Sequence, residues 1–172
     1  MSGDLVTLRM LVIAAALPDQ ELWRQAAAMA SVPVDFTAHA PASAASALAI
    51  DGADICVVDG DLSDADQTAV IAAARALQPA PLVFMSAPQG SARRERIDGM
   101  LSKPSSVDET RTLVEICVRA KIPSRVLIVD DSGTMRSIVR KILSASHFKL
   151  DIHEAAEGIA ALNQLRGGNF GM

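Results

Sequence analysis

Residues 126–131 read Val-Leu-Ile-Val-Asp-Asp, and residues 10–15 read Met-Leu-Val-Ile-Ala-Ala. Both are short apolar runs of the kind that forms a buried parallel strand. The later run ends in two adjacent carboxylates, Asp130 and Asp131, whereas the earlier run ends in two alanines. Adjacent acids at the carboxyl end of a strand supply oxygen ligands suited to Mg²⁺, and alanines supply none. The sequence therefore predicts one fold begun twice, with a metal-binding acid pair only in the second copy.

Apolar runs alternate with helical patterns over the first two thirds of the chain. Ser63 is predicted to cap the third helix, and the polar, basic segment 89–99 predicts a weak helix or a loop. Repeated β–α units imply a parallel sheet with right-handed crossovers and helices on both faces. The predicted class is α/β, a doubly wound five-stranded parallel sheet. Its strands are predicted at 8–14, 34–37, 55–58, 82–85 and 100–102, and its helices at 18–30, 42–50, 63–77 and 106–121.

A boundary is predicted at residues 121–124, which contain Pro123. The pattern then restarts with strands at 125–129 and 150–155 and helices at 135–146 and 159–166. We therefore expect a first domain over 1–122 and the first two βα units of a second domain over 123–172. A unit of that size is too small to build this kind of core alone and would leave an open sheet edge. Self-association, for example by strand exchange, is the expected consequence.

Three polar side chains follow three different predicted strands. They are Asp59, Ser86 and Lys103. Ligands of open α/β sheets bind outside the carboxyl ends of the strands, so these side chains are expected to converge. Asp59 alone has a plainer interpretation, because an Asp after a strand is often a turn residue. The same is true of Asp130 and Asp131, because adjacent acids often cap a helix.

The composition excludes several classes of protein. The residues are 50% hydrophobic with one Trp and no Tyr, which predicts an aliphatic core, and the net charge of −4 gives no reason to expect direct nucleic-acid binding. Cys56 and Cys117 lie in apolar runs and are expected to be reduced core residues, which fits a cytoplasmic protein. No leader peptide, membrane span, zinc pattern or phosphate-binding glycine loop is recognised.

The residues at the ends of the predicted strands resemble those of the receiver domain of bacterial two-component response regulators, and the resemblance covers nearly the whole chain. In the first unit the resemblance lies in residues 53–59, 81–87 and 101–104, and in the second in residues 129–136, 154–158 and 161–165, with a chemotaxis-type opening. It implies a flavodoxin-like receiver fold twice, the second copy ending here before its own acceptor acid. It also implies that Asp59 occupies the phosphoacceptor position, that Ser86 senses the phosphoryl group and that Lys103 pairs with it. Asp130 and Asp131 would hold Mg²⁺ in the second receiver.

The chemistry explains these residue types. A carboxylate attacks a negatively charged phosphoryl group only if a metal ion and an ammonium group offset the repulsion. The product is an aspartyl phosphate, whose charge attracts the lysine and the hydroxyl.

The first unit departs from the receiver pattern in three ways. Ala14 and Ala15 replace the acid pair, Met100 replaces the aromatic switch residue, and the segment from Ser86 to Lys103 is short, so that the fourth helix is expected to be stunted. Mg²⁺ binding is thus expected to be absent or weak in this unit, where the pair Asp59 and Asp61 would hold a cation only weakly.

The leading hypothesis is a two-component signalling protein rather than a classical enzyme. The first unit would be a pseudo-receiver used as a scaffold or dimerisation module, and the second, if completed, an Mg²⁺-dependent aspartyl phosphoacceptor. The expected partners are a sensor histidine kinase or a phosphotransfer protein and a second copy of the chain, with no nucleic acid or membrane. Two alternatives remain open: phosphorylation of Asp59 with atypical metal help, or a flavodoxin-like small-ligand or nucleotide binder.

Overall fold

The strands and helices form as the apolar pattern predicts. A computed structural model of the chain describes residues 7–146 and 148–167. The strands are β1 (Leu8–Ile13), β2 (Val34–His39), β3 (Ile55–Asp59), β4 (Leu82–Ala87), β5 (Gly99–Ser102), β6 (Ser124–Val129) and β7 (Leu150–Ala155). The helices are α1 (Leu17–Ala27), α2 (Pro41–Asp51), α3 (Asp64–Ala76), α4 (Val107–Lys121), α5 (Gly133–Ser144) and α6 (Gly158–Gly167).

The first five strands form one parallel sheet in the order β2-β1-β3-β4-β5. The central strand β3 is buried at all five positions, because it is flanked by a strand on each side and covered on both faces. Alternate side chains of β3 lie on opposite faces of the sheet, and those of Cys56 and Val58 pack against α2 and α3. They belong to an aliphatic cluster that also contains Leu11 and Val83. The predicted five-stranded flavodoxin-like sheet is confirmed.

The chain divides into two compact units between Val118 and Arg119. The N-terminal unit contains the five-stranded sheet. The C-terminal unit contains β6 and β7 as a parallel pair with α5 and α6. The prediction that residues 123–172 begin a second receiver rests on the resemblance in sequence and stays a prediction.

Segment 88–98, between β4 and β5, is a loop rather than a helix. Its backbone is held by Asp98, whose carboxylate accepts hydrogen bonds from the Arg75 guanidinium at 2.8 Å and from the Val83 amide at 2.7 Å. Arg75 also donates to the carbonyl of Arg96, and the neighbouring side chain of Ile97 is buried in the aliphatic cluster. The fourth helix of the receiver pattern is therefore replaced by a pinned loop.

Both cysteines are buried and unpaired. Burial raises the pKa of the Cys56 thiol to about 12, although the nearby Arg75 charge acts in the opposite direction. Burial also raises the pKa of Cys117 to about 12. Neither thiol forms a thiolate at neutral pH, so both are core residues as predicted.

Replacing Ser63 with alanine is expected to lower the free energy of unfolding by about 1 kcal/mol. Its hydroxyl accepts a hydrogen bond from the Asp66 amide at 3.1 Å and so caps α3. Chemical denaturation would measure the change, with Ser46→Ala, at an exposed position of α2, as the comparison. Equal stability of the two variants would contradict the cap's contribution.

Candidate functional site

The three polar residues predicted to converge do lie together at the carboxyl edge of the N-terminal sheet. Asp59 ends β3 and is paired in register with Ser86 near the end of β4. Lys103 follows β5, and its amide donates to the carbonyl of Ala87 at 2.9 Å. The Lys103 ammonium donates to Asp59 Oδ1 at 2.8 Å. The Ser86 hydroxyl donates to the Ser102 carbonyl at 3.3 Å, which keeps it at the same edge.

The Asp59 carboxylate is fixed by its own loop. It is 6% exposed, and its Oδ1 also accepts the Asp61 amide at 3.1 Å, as expected of an Asp that starts a turn. The Gly60 amide donates to the Ser86 carbonyl at 2.7 Å, so the loop after β3 lies directly against β4. A Cβ on Gly60 would come within 2.5 Å of the Ala87 Cβ. Glycine is therefore required here by close approach.

Asp19 is the site residue that sequence reasoning missed. It lies in the first turn of α1 and accepts a hydrogen bond from the Lys103 ammonium at 3.0 Å. The helix start is fixed to β1 because Gln20 Nε2 donates to the Ala14 carbonyl at 2.7 Å. An acid in the first turn of the helix after β1 faces the carboxyl edge of the sheet, and that position was the available signal.

Three carboxylates thus surround one ammonium group. Asp19, Asp59 and Asp61 each offer an oxygen within 4.8 Å of the others, the sole such group of three found in residues 7–146 and 148–167. The Lys103 ammonium contacts all three, and its bond to Asp61 Oδ2 measures 2.8 Å. Burial acts to lower the pKa of Lys103, but the hydrogen bonds to Asp59, Asp61 and Asp19 outweigh it and raise the pKa above its usual value.

Where the receiver pattern has its acid pair, at positions 14 and 15, the side that faces the protein interior is apolar. Ala14 is 1% exposed and lines a small pocket beside Asp59, together with Val12, Trp23 and Val57. Ala15 is exposed. The pocket offers no oxygen ligand at either position, so a divalent ion here would depend on carboxylates that Lys103 already contacts. The donor set lacks the acid pair of the receiver pattern and does not fit an Mg²⁺ site of that kind.

The acid pair of the C-terminal unit lies at the end of β6. Asp130 Oδ1 accepts the Ser132 amide at 2.8 Å, and the Ser132 hydroxyl caps α5. Asp131 is exposed. The Asp131 carboxylate is therefore open to solvent, and Asp130 is partly exposed. These two acids are the residues that would hold Mg²⁺ there, and the charge of the ion would offset the repulsion between a carboxylate and a phosphoryl group.

Glu154 lies at the same edge of this small sheet, near the end of β7. Its carboxylate accepts hydrogen bonds from Arg140 Nη1 at 2.9 Å and from Arg136 Nε at 3.3 Å. The Arg140 hydrogen bond is the main cause of a lowered pKa for Glu154. The Glu154 carboxylate is therefore paired with two arginines rather than placed as a third ligand beside Asp130 and Asp131.

The fold is that of receiver domains. The chain aligns with a two-component response regulator/GGDEF domain protein over 95% of its own length and 68% of that chain, at 21% identity and a TM-score of 0.59. It also aligns with the chemotaxis response regulator CheY4 of Vibrio cholerae over 65% of its length and 99% of that chain, at 12% identity and a TM-score of 0.53. A response regulator receiver domain from Methylobacillus flagellatus aligns at 18% identity and a TM-score of 0.52, over 65% and 99% of the two chains.

No protein-family model matches the sequence. At these identities the likeness establishes the fold and not the role of any residue. Among the residues that the structure describes, no helix is both long and apolar enough to cross a membrane.

Proposed function

We propose that this chain is a two-component signalling protein of the receiver type, and that its N-terminal unit, residues 1–122, is a pseudo-receiver. The proposal is supported by the combination of residues kept and residues lost at one edge of the N-terminal sheet. Asp59, Ser86 and Lys103 occupy the three positions of a phosphoryl-accepting site, whereas Ala14 and Ala15 stand where the acids would be. A unit that keeps the fold and the lysine but has no acid pair is suited to a scaffold or dimerisation role.

We further propose that residues 123–172 supply the first two βα units of a second receiver. In that receiver Asp130 and Asp131 hold Mg²⁺, and an aspartate on a third strand accepts the phosphoryl group. The exposed carboxylate of Asp131 and the end-of-strand position of both acids support this role. The partners would be a sensor histidine kinase or phosphotransfer protein and a second copy of the chain.

A second candidate function is phosphorylation of Asp59 itself, with atypical metal help. The group of Asp19, Asp59 and Asp61 favours it, because three carboxylates are enough protein ligands for Mg²⁺ with its remaining waters. Against it stands the Lys103 ammonium, which already neutralises part of that charge.

Incubation with radiolabelled acetyl phosphate and Mg²⁺ is expected to leave the N-terminal unit unlabelled. Without a seated metal ion the repulsion between the Asp59 carboxylate and the phosphoryl group is not offset. Proteolytic mapping of the label would compare the chain with its Asp59→Asn variant, and a receiver known to accept phosphate, treated in parallel, shows that the donor is active. Label on the N-terminal unit that disappears in Asp59→Asn would refute the pseudo-receiver proposal and establish the second candidate.

A further inference from the structure

Lys103 is bound to more acids than a single phosphoacceptor pair would need. Its ammonium lies 2.8 Å from Asp59 Oδ1, 2.8 Å from Asp61 Oδ2 and 3.0 Å from Asp19 Oδ2. An ammonium group has three donors, and here each donor has a carboxylate. The lysine side chain is 22% exposed, so these contacts are only partly screened by water.

The three carboxylates come from three different parts of the fold. Asp59 ends β3, Asp61 lies in the loop that follows, and Asp19 lies in the first turn of α1. Asp19 is 84 residues from Lys103 in sequence and does not occupy the end-of-strand position of the missing acid pair. Through these contacts Lys103 links β3, the loop that follows it and the start of α1. Without the lysine, a divalent ion would have to bridge the same carboxylates.

Charge explains why the lysine and a metal ion compete. Three carboxylates carry three negative charges, and one oxygen of each lies within 4.8 Å of the others, so a single cation in their midst would face all three. An Mg²⁺ ion at that place would also stand within a few ångströms of the ammonium, and like charges at such a distance repel. Mg²⁺ loses its water reluctantly, which makes displacement of a lysine already bound in place more costly.

We propose that Lys103 is the built-in counter-ion of the N-terminal unit, with Asp19 as its third carboxylate ligand, and that it holds the site in one arrangement without magnesium. The inference deepens the pseudo-receiver proposal and rests on it for the role of the site. It adds two things: a positioning role for Asp19, and a physical reason why Mg²⁺ is excluded although carboxylates are present.

The test uses the single tryptophan of the chain as a local reporter. Trp23 lies in α1, is 3% exposed and lines the pocket that Asp19, Asp59 and Lys103 share. Chemical denaturation of the full chain would be followed by Trp23 fluorescence at constant ionic strength, with and without Mg²⁺. The variants are Lys103→Met, Lys103→Arg and the double variant Lys103→Met/Asp59→Asn. Arg111→Met is the control, because it removes a positive charge from an exposed position of α4.

The wild type, Lys103→Arg and Arg111→Met are expected to show no Mg²⁺ dependence. Lys103→Met is expected to unfold at lower denaturant without Mg²⁺ and to recover when Mg²⁺ replaces the lost charge. At a hundred times the dissociation constant the ion would change its unfolding equilibrium about 100-fold. The Lys103→Met/Asp59→Asn variant should lose that response, which localises the ion. No Mg²⁺ effect on Lys103→Met, or an equal effect on the wild type, would overturn the proposal.

Asp61 provides a second measurement that a packing role for Lys103 would not reproduce. Its side chain is 61% exposed. Asp61→Asn is expected to destabilise the wild type, because it removes an attractive partner, but to stabilise Lys103→Met, because it removes a repulsive charge. The comparison needs only the sign of each change, so a lowered stability of Lys103→Met does not affect it. The same sign in both backgrounds would refute the counter-ion role.

Failure of this inference and failure of the proposed function give different results. A Lys103→Met variant that ignores Mg²⁺ removes the counter-ion role and leaves the pseudo-receiver proposal in place. Label from acetyl phosphate on Asp59 in the wild type removes the pseudo-receiver proposal.

Discussion

Asp98→Ala is expected to lower the free energy of unfolding of the N-terminal unit by about 3–5 kcal/mol. The carboxylate is 3% exposed and is paired with the Arg75 guanidinium, itself 11% exposed. It also accepts a hydrogen bond from the amide of Val83, the second residue of the buried strand β4. Truncation leaves a buried positive charge and a buried N–H group without their partner, and each of these losses is costly.

Chemical denaturation followed by Trp23 fluorescence would measure the loss. Asp35→Ala is the matched control, since Asp35 is exposed on β2 and is expected to change stability by no more than about 0.5 kcal/mol. The paired replacement Arg75→Met with Asp98→Leu should recover much of the loss, because it removes the buried charges together. If Asp98→Ala were as stable as Asp35→Ala, the pinned loop would have no energetic role.

Gly60→Ala is expected to destabilise the N-terminal unit by about 1–3 kcal/mol and to move Asp59 away from Ser86. The added Cβ would lie 2.5 Å from the Ala87 Cβ, 3.0 Å from the Ser86 carbonyl oxygen and 3.1 Å from the Ala87 Cα. None of these atoms is the free end of a flexible side chain, so the backbone of the loop or of β4 has to shift. The shift would lengthen the 2.7 Å hydrogen bond from the Gly60 amide to Ser86.

Amide chemical shifts of Asp59, Ser86 and Lys103 would report the displacement, and denaturation would report the loss of stability. Gly158→Ala is the control, because a Cβ at that position meets no atom within 4 Å. Unchanged shifts at the three site residues in Gly60→Ala would show that the close approach does not set the geometry of the site.

Much of the fold follows from local sequence. The apolar runs of β3 and β4 are bounded by polar or turn residues and are too short for helices, which is why their positions could be predicted within one or two residues. Convergence of Asp59, Ser86 and Lys103 also follows, since parallel strands bring their carboxyl ends to one edge. That prediction needs the strand assignment and no knowledge of side-chain packing.

The remaining features depend on partners that are distant in sequence. Asp19 has no local feature that sets it apart from any acid in the first turn of a helix, where acids are common because of the helix dipole. Its partner Lys103 becomes visible only when α1 and the end of β5 are placed together. Segment 88–98 was ambiguous between helix and loop for the same reason, because its conformation is decided by Arg75 on α3.

The burial of the strands differs sharply between the two sheets. All five residues of β3 are buried, whereas β6 and β7 each bury a single residue, Ile128 and Ala155. A two-stranded sheet with so few buried apolar side chains gains little free energy when it forms. Backbone amides of β6 and β7 are therefore expected to open to deuterium exchange at a much smaller free-energy cost than those of β3, so that one chain combines a slowly exchanging sheet with a rapidly exchanging one.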